Sequence, residues 1–175
     1  MGLLHHLEYE TLNLEDKVEI ISLCDNKEMT IGEKRNELYA KANGLYSLQI
    51  DDDDTLKEGG IIKILDALQH NPDCVTYQER CIINGKHYRS NHSLKYYAWE
   101  DNVDGFDFVR TPYMKDVIRT EIARSIKVAH IRYGEDHLWS IEIYPHLRSE
   151  VHLDEEIYYY LHNSSNPEER YGITK

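Results

Sequence analysis

At 175 residues, 41% hydrophobic and 30% charged, the chain suits one compact domain with a real core rather than a disordered tail. Twenty Lys and Arg against 32 Asp and Glu give a net charge of −12, which argues against non-specific binding to nucleic acid or anionic membrane. No apolar run approaches the ~20 residues of a bilayer span, and the N-terminus lacks the basic-then-apolar pattern of a secretion signal.

Cys24, Cys74 and Cys81 contain no CxxC pair and read as reduced, buried thiols of a cytoplasmic protein. The ten histidines show no HExxH and no close Cys/His group, which argues against zinc.

Along the chain, the first dozen residues predict a short helix with Leu3, Leu4, Leu7 and Leu12 as its apolar positions. Val18 to Cys24 (VEIISLC) predicts a buried strand, broken by Asp25-Asn26-Lys27. Thr30 and Glu33 have capping-box spacing and open a helix that runs through Leu38 and Ala42, with Gly44 placed to end it. Leu45 to Ile50 predicts a second strand, stopping at four aspartates, and Ile61 to Leu68 a helix closed by Asn71-Pro72. That α–β–α–β–α rhythm suits a parallel sheet with crossover helices. Further on, Asn84-Gly85 signals a hairpin, Tyr96–Trp99 and Phe106–Val109 are candidate strands, residues 120–126 a short helix, Leu138–Tyr144 another, and Ile157–Leu161 a late strand.

Asp51-Asp52-Asp53-Asp54 carries the most chemistry. Extended backbone would turn Asp51 and Asp53 one way and Asp52 and Asp54 the other. Like charges so close repel by ~1 kcal/mol per pair in water, so a cation is expected to offset them. Hard oxygen ligands of this kind suit Mg²⁺ or Mn²⁺. An EF-hand loop starting at Asp51 fails, because Leu56 and Ile62 stand where Gly and Glu are needed. A haloacid dehalogenase-type phosphatase motif, DxDxT, matches Asp51 to Thr55 literally and would make Asp51 the nucleophile. A DxD motif holding a nucleotide-sugar diphosphate through a divalent ion is the third reading.

The surroundings favour the third. Asp25 ends the first predicted strand, Gly32-Glu33-Lys34-Arg35-Asn36 opens the next helix, and Ala42-Asn43-Gly44-Leu45-Tyr46 leads into the aspartates. Gly134-Glu135-Asp136 and Tyr158-Tyr159-Tyr160-Leu161-His162 follow in order. Over roughly Leu3 to Asn163 this pattern resembles the family 2 glycosyltransferases of GT-A fold.

The resemblance implies a single-domain, GT-A-like (Rossmann-like) α/β fold with a mixed, mostly parallel sheet flanked by helices. Residues 1–72 would be the nucleotide-binding half, 73–163 the acceptor and catalytic half, and 164–175 a C-terminal tail. Members of the family begin with a strand under the nucleotide base. This sequence opens at Met1-Gly2-Leu3-Leu4, inside the matching first helix, so that N-terminal strand is expected to be missing and a sheet edge exposed.

Carried over position by position, the family implies a metal-dependent transfer of sugar from a nucleotide-diphosphate donor to a carbohydrate or other hydroxyl acceptor, in one displacement with inversion. Asp25 would contact the nucleobase, with Asn36 and Asp52 also on the donor side. Lys34 and Arg35 would offset phosphate charge, though they point apart on a helix and only one reaches. Asp51 would sit near ribose and metal, with Asp53 the direct ligand of Mn²⁺ or Mg²⁺ and His162 a further one. Asp136 would be the general base, with Glu135 positioning the acceptor. Arg110-Thr111-Pro112 would line the acceptor side, and Trp99 and Trp139 are candidate sugar-stacking faces, with core packing the alternative for each. The phosphatase, and a non-catalytic nucleotide-binding relic, stand as alternatives.

Overall fold

The computed structural model describes residues 2–131 and 133–163; the expected tail, 164–175, lies outside the described residues. α1 (Leu3–Glu10) forms as expected, but only Leu3 and Leu7, one turn apart, face the core. Leu4 is half exposed, and Leu12 lies beyond the helix in a turn. Val18–Cys24, expected as a buried strand, forms none: it joins no ladder among the described residues and its side chains are half-buried or exposed, Cys24 included, because β propensity alone does not supply a neighbour to pair with.

α2 (Ile31–Lys41) begins with the expected capping box. The Thr30 hydroxyl accepts the Glu33 N–H (3.2 Å), and the Glu33 carboxylate accepts the Thr30 N–H (2.7 Å). The helix ends at Lys41 with Ala42 as its C-cap, ahead of the Gly44 expected to end it. The Asn43 and Gly44 N–H groups are capped by the Glu19 carboxylate, so Gly44 needs no left-handed turn. Gly32 lets this helix approach the 128–130 segment, where a Cβ would collide with the Ala129 carbonyl.

Of the strand expected at 45–50, only β1 (Tyr46–Ser47) pairs, antiparallel to β7 (Val117–Arg119). β2 (Thr55–Leu56) and α3 (Gly60–Leu68) follow the aspartates. β3 (Cys74–Ile83) is the hub of the sheet. β8 (Glu150–His162) runs parallel along one side of it, from Cys74 opposite Glu150 to Ile83 opposite His162. The other side carries β7 at Cys74–Val75 and β4 (Lys86–His92) from Gln78 onward. The β3–β4 turn is Asn84-Gly85 with both φ positive, as the hairpin signal required.

β5 (Glu100–Val103) and β6 (Phe106–Arg110) extend the sheet. Tyr96–Trp99 is irregular rather than a strand; there Tyr96 is buried and its hydroxyl bonds to Asn91 and Asp104. α4 (Thr120–Ser125) and α5 (Glu135–Ile143) complete the fold. The sheet is mixed: β3·β8 and β4·β6 are parallel and the other described pairings antiparallel. Alternation along β3 and β7 feeds two cores. Val75, Tyr77 and Val117 pack with α1 and α3, while Cys74 and Ile118 pack with Tyr39, Trp139 and Ile143 from α2 and α5. No described helix is long and apolar enough to cross a membrane.

Between these cores lies a buried charge set. His92 is fully buried, with Nδ1 3.1 Å from Asp116 and Nε2 3.3 Å from Glu79. Burial opposes its protonation, but Asp116 and then Glu79 outweigh that and raise its pKa to about 9. A folded value above the ordinary one stabilises fully below about pH 6.5, and that stabilisation disappears as pH climbs through 9. Thermal melts from pH 7 to 9.5 should therefore lose on the order of 2 kcal/mol from this group. Over the same interval the stability gap to His92→Asn should narrow; a constant gap would mean that His92 is neutral in the fold.

Candidate active site

The four aspartates do not stay extended. The Asp54 N–H donates to the Asp51 carbonyl (3.1 Å), closing a turn with Asp52 and Asp53 at its exposed tip. Asp51 and Asp54 therefore converge, against the alternation expected of a strand. What draws them together is Lys115, from the loop between β6 and β7. Its Nζ lies 2.5 Å from Asp54 Oδ2 and 3.2 Å from Asp51 Oδ2, above the rings of Tyr160 (4.2 Å) and Tyr158 (5.0 Å). Burial opposes the charge on Lys115, but Asp51 and Asp54 outweigh it and hold its pKa above the ordinary lysine value. Asp54 is also bonded by the Tyr158 hydroxyl (2.7 Å) and the Leu161 N–H (2.9 Å).

Asp51 is held from its other side by Arg35, whose Nη2 donates to Oδ1 (2.9 Å). Burial pushes the Asp51 pKa up; Lys115 and Arg35 more than reverse this, leaving the carboxyl below its usual range. Arg35 is buried and turned inward, with Nη1 on Gln49 (3.1 Å) and Nε 3.5 Å from Glu135 Oε1. The neighbouring residues of α2 diverge from it, as helical geometry requires. Lys34 pairs with Asp25, which also accepts the Met29 N–H (2.8 Å). The Lys34 bond first, then Met29, lower the Asp25 pKa to about 2. Asn36 makes two bonds of 2.9 Å with the backbone of Val128, so its amide is spent on holding the chain that leads to α5.

Gly134, at φ 80°, turns the chain into α5, whose first two residues are the predicted acid pair. Glu135 is buried; burial first, then the neighbouring Asp136, raise its pKa. Asp136 is half-buried and accepts the His137 N–H (2.8 Å). Beside it, His137 lies on Trp99 (4.6 Å), whose Nε1 donates to Thr111 (3.1 Å) and whose ring carries Arg110 at 5.0 Å. Trp99, Arg110 and Thr111 thus gather next to the acid pair. Trp139 does not: it is 1% exposed and stacked on Tyr39, a core residue. The Tyr158–Tyr160 run serves packing and the Lys115 seat, with Tyr159 beneath Arg80.

The residues give a divalent ion a partial fit. Among the described residues no three His, Cys, Asp or Glu side chains form a ready cage. Magnesium-type ions need only one or two carboxylates beside substrate oxygens, and the exposed Asp53 offers one. Asp51 fits less well, since both of its oxygens already hold cations. His162 follows Leu161, which is bonded to Asp54, and stacks on Tyr160 at 5.9 Å; this brings it to the edge of the acidic loop.

Sequence reasoning missed Lys115. The signal available was one lysine set among apolar and aromatic neighbours in Tyr113-Met114-Lys115, while its partners stand about sixty positions away.

No family model and no curated protein matches the sequence. Solved structures do. S. aureus TarS 1–349 in complex with UDP-GlcNAc is similar at 16% identity and a TM-score of 0.63, over 92% of this chain and 48% of that one. The same protein without ligand gives 20% and 0.60, over 87% and 48%. Its complex with UDP gives 18% and 0.57, over 75% and 40%. The chain thus spans less than half the length of these structures, and the likeness gives it a mixed α/β, GT-A-like architecture.

Proposed function

We propose that this domain is a metal-dependent glycosyltransferase that moves a sugar from a nucleotide-diphosphate donor to a hydroxyl acceptor with inversion. One observation carries the reading. A single guanidinium joins the acidic loop, through Asp51, to the acid pair that opens α5, through Glu135, on an architecture whose solved neighbours hold UDP and UDP-GlcNAc.

In this reading Asp25 lies on the nucleobase side and Asp52 and Asp53 face the diphosphate. Asp53, with His162 beside the loop, would hold Mn²⁺ or Mg²⁺; the bound ion would supply charge neutralisation to the departing diphosphate. Electrostatics favours such an ion. The loop and the acid pair bring six carboxylates, Asp51 to Asp54 with Glu135 and Asp136, against Arg35 and Lys115, so the rim repels an unaccompanied diphosphate. The acceptor oxygen bonds to the anomeric carbon as the bond to phosphate breaks, its electron pair leaving with the diphosphate. The acceptor's proton passes to Asp136, which is accessible where Glu135 is buried.

The phosphatase alternative needs a free Asp51 oxygen for attack, and the inward grip of Arg35 and Lys115 argues against it. Thermal shift with UDP and UDP-GlcNAc, with and without Mn²⁺, tests the reading. A Mn²⁺-dependent rise in melting temperature is expected for the parental chain, and Asp53→Ala should abolish it without lowering the ligand-free melting temperature. A shift that ignores Mn²⁺, or that survives in Asp53→Ala, would remove Asp53 as the metal ligand. Nucleotide binding with no turnover against any hydroxyl acceptor would favour the relic.

A further inference from the structure

Arg35 is 6% exposed, and its three nitrogens face three different parts of the chain: Gln49 at 3.1 Å, Asp51 at 2.9 Å and Glu135 at 3.5 Å. Gln49 returns a bond to the Arg35 carbonyl (3.2 Å), so side chain and helix are fixed together. One residue on, Asn36 clamps both backbone groups of Val128, and one turn back Gly32 sits flush against Ala129. Val128 and Ala129 are therefore fixed against α2 beside the residue that grips the acidic loop. Nε has no hydrogen bond and looks toward the buried Glu135 carboxylate, the residue before Asp136.

Resting on the glycosyltransferase reading, we propose that Arg35 is a positioning residue. It touches neither donor nor acceptor, but sets the distance between the acid pair of α5 and the acidic loop, so that donor cleavage is coupled to deprotonation of an alcohol. A planar fork can hold Asp51 and Glu135 at once, and a lysine, a point charge on a flexible stem, cannot. With Arg35→Lys the charge stays and the spacing is lost. A displaced base penalises a bulky alcohol more than water, which is small and free to reorient, because near-attack geometry must be met by the whole acceptor.

The test uses the full chain with UDP-GlcNAc and Mn²⁺, measuring hydrolysis without acceptor and transfer to a panel of octyl glycosides. In Arg35→Lys, transfer is expected to fall at least tenfold more than hydrolysis. Amide hydrogen exchange at residues 133–137 is expected to quicken. Equal losses of transfer and hydrolysis, or no loss in either, would overturn the positioning role. If the parental chain itself neither binds UDP nor turns over UDP-GlcNAc, the glycosyltransferase reading fails instead. The spacing claim then stands or falls on exchange alone, and unchanged exchange at 133–137 in Arg35→Lys overturns it.

Discussion

Lys115→Met is expected to cost about 3–5 kcal/mol of folding stability, the range for breaking a buried ion pair from one side. The ammonium is 5% exposed and its partner Asp54 3% exposed, so the carboxylate left behind would be stranded in the core. It would keep the Tyr158 hydroxyl and the Leu161 N–H, but those two neutral donors cannot replace a full charge at 2.5 Å. Asp54, already pushed up by burial, would neutralise at a higher pH, and the variant's stability should therefore improve on mild acidification. Urea unfolding monitored by far-UV circular dichroism checks the loss. Lys115→Met with Asp54→Asn should regain more than half of it, because the stranded charge is gone. Simple additivity of the two changes would show that the pair is not coupled. The same substitution should open the turn that converges Asp51 on Asp54, so Mn²⁺-dependent UDP binding should weaken along with the fold.

The contrast between Lys115 and the capping box explains what was readable beforehand. Thr30 and Glu33 state their partnership within three residues, as Asn84-Gly85 states its turn, and both appear as expected. α5 is a partial case: its expected start at Leu138 falls three residues late, because Gly134 at φ 80° already turns the chain into the helix at Glu135. Long-range pairing writes no such mark. β3 reads Cys-Val-Thr-Tyr-Gln-Glu-Arg-Cys-Ile-Ile, with Glu79 in mid-strand, and it is the distant His92, with Lys115, that explains how a carboxylate sits buried there. β7 is three residues long and visible only through its pairing with β1 and β3. Tyr96–Trp99 has the aromatic content of a pleated surface, yet it is a loop in which Tyr96 is buried, Trp99 packs on Tyr113 and Tyr97 is left exposed. The aspartates were the reverse case: their identity was plain, but which two turn inward depended on a cation from elsewhere in the chain. The position of Arg35 shows the same limit. Its charge suggested phosphate, and only the fold reveals that it is spent on Asp51 and Glu135.

Asp136→Asn is expected to lower sugar transfer by roughly 10²–10⁴-fold, the usual worth of a positioned general base. The amide keeps the size of the side chain and still offers an oxygen to the His137 N–H, so the start of α5 should survive. What is lost is proton affinity at the atom facing the acceptor. In the proposed reading Asp136 does not touch the donor, so the Mn²⁺-dependent thermal shift with UDP-GlcNAc should match the parental one, and KM for donor should move little while kcat falls. Glu135→Gln makes the informative comparison. Glu135 is buried within 3.5 Å of Arg35 and cannot meet an acceptor directly, so its loss should act through geometry, lowering stability and transfer together. Parental transfer rates in Asp136→Asn would remove Asp136 as the base. A simultaneous collapse of donor binding would place it on the donor instead, since a group that only takes the acceptor's proton contributes to the transition state and not to the bound ground state.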